Sequence, residues 1–327
     1  MVSQPVNAAG KLQRVSLSVV VCAYTDARFE LLSECIEALL GQLLDKDELI
    51  LVIDYNEELL ETIVAEYGSR ATVLRNMFQR GLSGARNSGI AAARNAVVAF
   101  VDDDAKIRPG WAVTLRQHYL DGAVAGVGGY ASPVWPAGRP TWLPAEFDWV
   151  VGCSHRGLPT AITPVRNFIG CNMSFRRDVL EAIGQFSTDI GRVGTRPVGC
   201  EETELCIRIA QHDASARLLF DPDIKVDHAV SADRTRVRYF VSRCFGEGIS
   251  KYKVSGMVGA GDGLKSERSY VTRVLPVGFV CGLREMFRGR GNRWAAGARS
   301  AAIVTGLVVT TAGYVYSMLR TNWEAVA

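Results

Sequence analysis

The chain has 327 residues, of which 48% are hydrophobic and 22% are charged. This length and composition allow a large buried core, so we expect one large domain, or one domain with an appendage, and exclude a disordered chain. The 37 Lys and Arg residues nearly balance the 34 Asp and Glu residues, so no global positive field marks a nucleic-acid-binding protein. The eight cysteines include no C-x-x-C pair, which favours reduced thiols in a cytosolic protein.

The first apolar run resembles the start of a signal peptide, because Lys11 and Arg14 precede it. The run from 17 to 23 has only seven residues, and no small-x-small cleavage site follows it. We therefore interpret residues 1–15 as a flexible N-terminus and the apolar run as a strand.

Strands and helices alternate through the first hundred residues. The β-branched segment SLSVVVCAY predicts a buried parallel strand, and the apolar residues that follow Thr25 and Asp26 at three- and four-residue spacing predict a helix. Further predicted elements are a strand at 48–54, a helix at 57–67, a strand at 72–74, a helix at 85–94 after the Gly-rich turn GLSG, and a strand at 96–101. This alternation predicts an open α/β sheet, in which ligands bind beyond the carboxyl ends of the strands.

The second half of the chain is less periodic. Residues 120–165 are rich in Gly, Pro and Trp, which favours irregular loops and short strands. The later predictions are a strand, turn and helix at 167–186, a helix at 201–211, a strand at 218–230 and a mainly helical region beyond 232.

Three consecutive carboxylates, Asp102, Asp103 and Asp104, follow the predicted strand at 96–101. Unpaired charges are too costly to bury in a core, so these side chains must meet water, a cation or a metal. On an extended chain Asp102 and Asp104 project to the same side. Two oxygen donors suit Mg²⁺ or Mn²⁺, which also bind the phosphate oxygens of a nucleotide. A solvated acidic turn explains the spacing equally well.

Two other segments carry polar groups to the same edge of the sheet. Asp54 ends the predicted strand at 48–54, where it could accept hydrogen bonds from a base or ribose, or could instead cap the next helix. The run GLSGARNSG combines glycines, which allow close approach of the backbone to a ligand, with Arg86, which can pair with phosphate. A simple turn is the alternative.

Carboxylates also cluster at the start of the predicted helix at 201–211. The helix dipole alone explains Glu201, Glu202 and Glu204 there. A carboxylate in this place could also take the proton of an acceptor hydroxyl. His228 could bind a metal through its neutral imidazole, or could be a structural residue.

Taken in order, several segments resemble those of the family 2 glycosyltransferases, which are inverting enzymes with the GT-A fold. These segments are SVVVCAYT, LILVIDYNEE, GLSGARNSGI, FVDDDA, GCNMSFRRDVLEAIGQF and CEETELCIRI. The resemblance covers residues 16–230 and implies a Rossmann-like α/β fold, with an open mixed sheet flanked by helices and a helical C-terminal extension at 231–327. It also implies metal-dependent transfer of a sugar, with inversion, from a nucleotide-diphosphate donor to an acceptor hydroxyl, with Mn²⁺ or Mg²⁺ as cofactor.

The resemblance assigns roles to individual residues. Glu202 is the implied general base, and the implied metal ligands are Asp104, Asp102 and His228. The implied donor-binding residues are Ala23, Tyr24, Thr25, Asp54, Gly81, Ser83, Arg86, Asn87, Asp102 and Asp103, and those on the acceptor side are Asn172, Glu201 and Arg208. Tyr55 and Asn56 replace the family's usual Asp-Gly, which leaves recognition of the base open.

The C-terminal hundred residues are basic, with interleaved aromatic side chains, as suits an anionic membrane surface or a phosphorylated acceptor. The uncharged stretch 300–319 is long enough to span a bilayer, but a helix packed on the enzyme would look similar. We predict peripheral or monotopic attachment, with a true span or no membrane contact as alternatives. The catalytic domain is then expected in the cytoplasm, at the inner face of the plasma membrane.

The expected partners are a nucleotide-diphosphate sugar, a glycan, lipid-linked or small-molecule acceptor, and a membrane surface, but no nucleic acid. A nucleotidyltransferase is one alternative, although AYTDARFE stands where such an enzyme has a Gly-rich basic loop. A non-catalytic nucleotide-sugar-binding subunit of a membrane assembly is another, and the presence of Glu202 argues against it.

Overall fold

The structure is a computed structural model that describes residues 15–192, 198–288 and 292–324. Apart from Val15, the predicted flexible N-terminus lies outside these ranges. The described strands form one sheet in the order β3-β2-β1-β4-β8-β6-β9-β5, with β7 paired to β9. Their bounds are β1 Leu17–Ala23, β2 Glu48–Ile53, β3 Thr72–Arg75, β4 Val97–Asp102, β5 Ala105–Ile107, β6 Val124–Val134, β7 Thr163–Pro164, β8 Asn172–Arg176 and β9 Arg217–Ala229.

One half of the sheet is a parallel α/β unit. Strands β3, β2, β1 and β4 pair in parallel in that order. The apolar residues of β1, β2 and β4 are buried because helices cover both faces of the sheet. The helices of this half are α1 Phe29–Leu40, α2 Glu57–Tyr67, α3 Leu82–Ala92 and α4 Trp111–His118. The predicted α/β architecture is confirmed.

Local sequence explains where the first two helices begin. The side chain of Asn56 accepts a hydrogen bond from the Leu59 amide, which caps α2 at its predicted start. Thr25 accepts in the same way from the Ala27 amide. That bond begins a 3₁₀ turn, Asp26–Arg28, which leads into α1.

The GLSG segment is not the turn that the sequence suggested. Helix α3 already begins at Leu82, directly after Gly81, whose φ of 126° suits glycine. A side chain at Gly84 would place its Cβ 1.9 Å from the Gln79 carbonyl oxygen. The glycines therefore allow a sharp entry and close packing at the start of a helix.

The prediction of irregular loops and short strands through 120–165 understated the regular structure of its first part. Val124–Val134 forms β6, an eleven-residue strand in the middle of the sheet. A Cβ at Gly128 would lie 2.3 Å from the Phe168 ring, and one at Gly126 would lie 2.9 Å from the Phe175 ring. These glycines make room for aromatic side chains, so here a high glycine content marks close packing.

The remaining helices include those of the region beyond residue 232, which is mainly helical, as predicted. The helices are α5 Arg177–Ile183, α6 Glu201–His212, α7 Val237–Val258, α8 Ala260–Gly263, α9 Lys265–Ser269, α10 Leu275–Arg288 and α11 Arg293–Glu324, with a π-helix at Tyr270–Val274 and 3₁₀ helices at Ala145–Val151 and Ala232–Thr235. A buried cluster that includes Phe147, Phe240 and Ile303 joins the C-terminal helices to the 3₁₀ helix at Ala145–Val151. The proposed boundary at 230 follows the end of β9, at Ala229.

Helix α11 contains the uncharged stretch 300–319. Within the described ranges, the segment Arg293–Thr321 is the one helical stretch whose length and composition suffice to cross a membrane. Only 28% of its most apolar window is buried, whereas a core helix would be mostly covered. Its exposed residues include Val304, Val308, Val315 and Leu319, whose spacing forms one stripe.

Candidate active site

A cavity of about 940 Å³ opens beyond the carboxyl ends of β1, β2 and β4. Ligands of open α/β sheets bind at this edge. The polar residues that line this end of the cavity include Asp54, Asp102, Asp103, Asp104, Glu201, Glu202 and His228. The structure thus brings the predicted acidic run, the predicted base and the predicted histidine into one cavity.

The acidic run bends instead of remaining extended. Strand β4 ends at Asp102, and the chain turns through Asp103 and Asp104 before β5 begins. Ligand atoms of Asp102, Asp104 and His228 nevertheless lie within 4.8 Å of one another. His228 reaches the group because β9 pairs with β5, which places it opposite Ala105.

Asp104 is surrounded by cationic groups. Its carboxylate lies 3.1 Å from Nε2 of His228, 2.8 Å from a guanidinium nitrogen of Arg28 and 3.2 Å from one of Arg234. Burial disfavours the charged carboxylate, but these three groups outweigh burial and hold the pKa of Asp104 far below its usual range. Burial likewise opposes a charge on His228, yet Asp104 raises the pKa of that imidazole to about 10.

The donor set fits a divalent cation. Two carboxylates and an imidazole are ligands that Mn²⁺ accepts in proteins. The side chain of Asp102 is 30% exposed to the cavity, which leaves room for phosphate or water ligands. Nδ1 of His228 faces Sγ of Cys153 at 3.7 Å, so Nε2 is directed at Asp104. Such a contact behind the ring fixes the orientation of a ligating histidine.

Sequence reasoning missed two arginines of this site. Arg28 contacts Asp103 at 2.9 Å as well as Asp104, and its guanidinium lies 5.1 Å from the centre of the Tyr24 ring. Arg234 belongs to the C-terminal region whose basic residues suggest a surface role, but its guanidinium donates hydrogen bonds to Asp104 and to the Val151 carbonyl. The one local signal is the position of Arg28, five residues after the end of β1 at the ligand-binding edge.

The predicted donor-binding residues occupy two layers. Ala23, Tyr24, Asp54, Arg86, Asp102 and Asp103 line the cavity. Asp54 accepts hydrogen bonds from the Gly81 amide at 3.0 Å and from the Asn76 side chain at 2.7 Å. Ser83 and Asn87 are buried and bond the backbone at Ile190 and Phe186. Thr25, Gly81, Ser83 and Asn87 lie outside the lining.

Arg86 is a buried link between the two halves of the site. Its guanidinium lies 2.8 Å from Glu201 and 3.2 Å from Asp102, and it donates to the Gly170 carbonyl at 3.0 Å. Only 1% of the residue is exposed. Arg86 thus positions the carboxylates in this structure, whereas the sequence suggested a contact with phosphate.

The three carboxylates at the start of α6 differ in their partners. Glu201 pairs with Arg86, and Glu204 pairs with Arg208 at 2.7 Å. Glu202 lines the cavity and makes no ion pair within the described part of the chain. Burial, followed by the charge of Glu201, raises the pKa of Glu202 to about 7.

Two residues predicted on the acceptor side lie away from the cavity lining. Asn172 is 1% exposed and bonds the Trp111 side chain and the Tyr130 and Ile224 carbonyls, so it joins β8 to its neighbours. Arg208 bonds Glu204 and the carbonyls of 183–185. Both side chains are fully engaged in holding the fold.

An open mixed sheet with an acidic cavity at its carboxyl edge is the architecture of glycosyltransferases with the GT-A fold. The chain belongs to glycosyl transferase family 2, whose sequence profile matches residues 18–184.

Known relatives and structures agree with this class. The chain is 38% identical over 241 residues to a glucosyl-dolichyl phosphate glucuronosyltransferase of Haloferax volcanii. This alignment covers 72% of this chain and 76% of that protein. It is 27% identical over 172 residues to a pre-mycofactocin glycosyltransferase of Mycobacterium tuberculosis, covering 52% of this chain and 34% of the relative.

Two solved structures share the fold. A mannosyltransferase from Pyrobaculum calidifontis in complex with GDP-Man and Mn²⁺ superposes with a TM-score of 0.56 at 16% identity, covering 90% of this chain and 86% of that chain. GalNAc-T7 with UDP, GalNAc and Mn²⁺ gives a TM-score of 0.52 at 18% identity, covering 72% of this chain and 48% of that chain.

Proposed function

We propose that this glycosyltransferase inverts the anomeric configuration of the sugar that it transfers, with Glu202 as general base and a divalent cation on Asp102, Asp104 and His228. The observation that carries the proposal concerns the start of α6. Of the three carboxylates there, Glu201 and Glu204 are neutralised by arginines, while Glu202 has no ion pair in the described ranges and lines the cavity. A base needs a free carboxylate with a pKa near the working pH.

The proposed reaction is a direct displacement at the anomeric carbon. The acceptor hydroxyl gives its proton to Glu202 as its oxygen bonds to that carbon from the face opposite the donor phosphate. The bond from carbon to phosphate oxygen breaks, and its electron pair leaves with the nucleoside diphosphate. A bound Mn²⁺ or Mg²⁺ would neutralise the charge that develops on the diphosphate. Arg28 and Arg234 already lie at the site and can exchange Asp104 for phosphate oxygens.

We further propose that the acceptor is a sugar carried on a polyprenyl phosphate. The relative of 38% identity is named for such an acceptor, glucosyl-dolichyl phosphate. In addition, the cavity continues from Glu202 to apolar residues of the C-terminal helices, and α11 exposes an apolar stripe. Membrane attachment through these helices, with the catalytic domain on the cytoplasmic side, belongs to the same proposal.

The Glu202→Gln variant tests the assignment of the base. We expect the rate of transfer to fall by about 10²–10⁴-fold, because the acceptor proton loses its carboxylate acceptor. The variant should still bind the nucleotide sugar in the presence of Mn²⁺, as measured by titration calorimetry. Glu58→Gln is a matched control, because Glu58 also lies in the first turn of a helix, α2, but is exposed to solvent. Near-normal transfer by Glu202→Gln would show that another group removes the proton.

A further inference from the structure

Cys200, the residue directly before α6, has an unusual backbone conformation. Its φ of 73° and ψ of 18° lie in the left-handed region. Within the described ranges, Tyr55 is the other non-glycine residue with a positive φ. This region disfavours residues that carry a Cβ atom, so the conformation persists only where the surrounding structure holds it. Residues held in this way cluster at active sites.

The conformation of Cys200 sets the direction in which α6 begins. The Cys200 carbonyl accepts a hydrogen bond of the first helical turn, from the Glu204 amide at 3.0 Å. Glu202 lies two residues after Cys200 and lines the cavity. Glu201, between them, is held by Arg86 at 2.8 Å. A rotation of the backbone at Cys200 would therefore move Glu202 relative to the cavity.

Two hydrogen bonds from helix α7 hold this backbone. The buried Ser250 hydroxyl accepts from the Gly199 amide at 3.0 Å and donates to the Gly246 carbonyl at 2.8 Å. The Cys200 thiol donates to a carboxylate oxygen of Glu247 at 3.3 Å. Glu247 and Ser250 are three residues apart, so they lie on the same face of α7. Residues 199 and 200 are thus fixed to one face of this helix.

The carboxylate of Glu247 is itself held by cationic groups. Lys251 lies 3.3 Å from it and Arg243 lies 3.8 Å from it. Lys251 also contacts Glu267 at 2.7 Å, and Glu267 pairs with Arg166 at 2.6 and 2.8 Å. Burial opposes a charge on Glu247, but Lys251 and Arg243 outweigh burial and lower its pKa. A hydrogen bond to a charged carboxylate is stronger than one to a neutral acceptor.

We propose that Glu247 and Ser250 of α7 are positioning residues for the proposed base, and that they act through the backbone of Cys200. Through these contacts the C-terminal helices orient the start of α6, so that Glu202 faces the reacting hydroxyl. The inference rests on the proposed function, because it takes Glu202 to be the base.

The variants Cys200→Ala and Cys200→Gly test the proposal together, because both lose the thiol but only alanine strains the backbone. The rate is the release of nucleoside diphosphate at saturating UDP-, GDP- or dTDP-sugar with Mn²⁺. We expect Cys200→Ala to lower kcat by about 10- to 100-fold, because the base is misplaced. Cys200→Gly should stay within about threefold of the wild type, because glycine adopts this conformation readily. Calorimetry should show unchanged affinity of both variants for UDP or GDP with Mn²⁺.

Glu247→Gln tests whether Glu247 acts through Cys200. In the wild-type background we expect kcat to fall by about tenfold, because the charged acceptor of the thiol is lost. In the Cys200→Gly background the same change should cost less than about twofold, because that contact is already absent. Glu181→Gln is the matched control, since Glu181 also pairs with an arginine four residues away but is 57% exposed. An equal loss in both backgrounds would show that Glu247 does not act through Cys200.

Hydrogen exchange of the Glu204 amide reports on the start of α6 without any need for turnover. We expect exchange to be about tenfold faster in Cys200→Ala and close to the wild-type rate in Cys200→Gly. Normal exchange in Cys200→Ala would show that the backbone needs no support from α7. Faster exchange with normal turnover would show that α7 does not position the base, and equal loss of turnover in both Cys200 variants would assign the effect to the thiol alone.

Glu202→Gln separates this proposal from the proposed function. If Glu202→Gln keeps near-normal transfer, the proposed base fails. The exchange of the Glu204 amide then still decides whether α7 holds the start of α6.

Discussion

Asp104 is the residue on which the active site converges. Three cationic groups share its carboxylate, from Arg28, His228 and Arg234. A buried carboxylate is stable only with such partners. In the proposed mechanism the same partners would have to release Asp104 when a metal and a diphosphate bind. The sequence indicates that the acidic run is a candidate site, because adjacent carboxylates after a buried strand are too costly to bury without partners. Its arginines could not be predicted, because they lie 76 and 130 residues away from Asp104 in the chain.

The proposed role of Glu202 as general base predicts a particular pH dependence of catalysis. Its carboxyl has a pKa of about 7, and a general base works only when it is deprotonated. We therefore expect kcat/KM to rise about tenfold per pH unit below pH 7 and to level off above it. The measurement is a pH series of initial rates at low acceptor concentration with saturating metal.

Asp103 requires a control in that experiment, because burial also raises its pKa to about 7. The Asp103→Asn variant should keep the same acidic limb if Glu202 is responsible. The fall of kcat/KM below pH 7 would be assigned to Asp103 by two results together. It would disappear in Asp103→Asn, and it would persist in the residual activity of Glu202→Gln.

Among the secondary-structure elements, those with a clear hydrophobic period were predictable and those rich in glycine were not. Helix α2 begins and ends at its predicted residues, 57 and 67, because the cap at Asn56 and the apolar spacing agree. Strand β6 lies in a region predicted as irregular loops and short strands, because Gly126 and Gly128 weaken any strand pattern. The structure shows why glycine is needed at these positions, because the rings of Phe168 and Phe175 occupy the space that a Cβ would fill. A local sequence pattern cannot predict packing against a side chain that lies 40 or more residues away in the chain.

The packing of β6 can be tested at Gly128. A Cβ there would lie 2.3 Å from the Phe168 ring, so Gly128→Ala should lower the free energy of unfolding by about 1–3 kcal/mol through overpacking. Gly122→Ala is the control, because a Cβ at that position meets nothing within 4 Å. Urea denaturation of both variants gives the comparison. Equal stability of the two would mean that β6 and Phe168 do not pack as described.

Considered as a whole, the molecule joins an α/β catalytic unit to a set of C-terminal helices that line the same cavity. The shared buried cluster of Phe147, Phe240 and Ile303 makes these helices part of the enzyme's body. Helix α11 meets that body with one side and exposes an apolar stripe on the other. The lipid-linked acceptor that we propose would require a contact between the cavity and a membrane surface, and the exposed stripe of α11 is the candidate for it.

Membrane attachment can be tested through this stripe. The double variant Val308→Gln and Leu319→Gln replaces two side chains that are each 60% exposed, and we expect it to float with anionic vesicles several-fold less than the wild type because apolar burial in lipid is lost. Val64→Gln is the control, since Val64 is 48% exposed on the distant helix α2. Equal flotation of wild type and double variant would show that α11 does not contact lipid.

The most direct test of the central claim is the nucleotide product. The purified chain is incubated with UDP-, GDP- and dTDP-sugars and Mn²⁺, and the released nucleotide is identified by chromatography. We predict a nucleoside diphosphate from at least one donor, with release abolished by a chelator and reduced at least a hundredfold in Asp104→Asn, as expected when a ligand of the catalytic metal is lost. Release of pyrophosphate, or turnover that neither the chelator nor Asp104→Asn changes, would contradict the assignment of a metal-dependent glycosyltransferase.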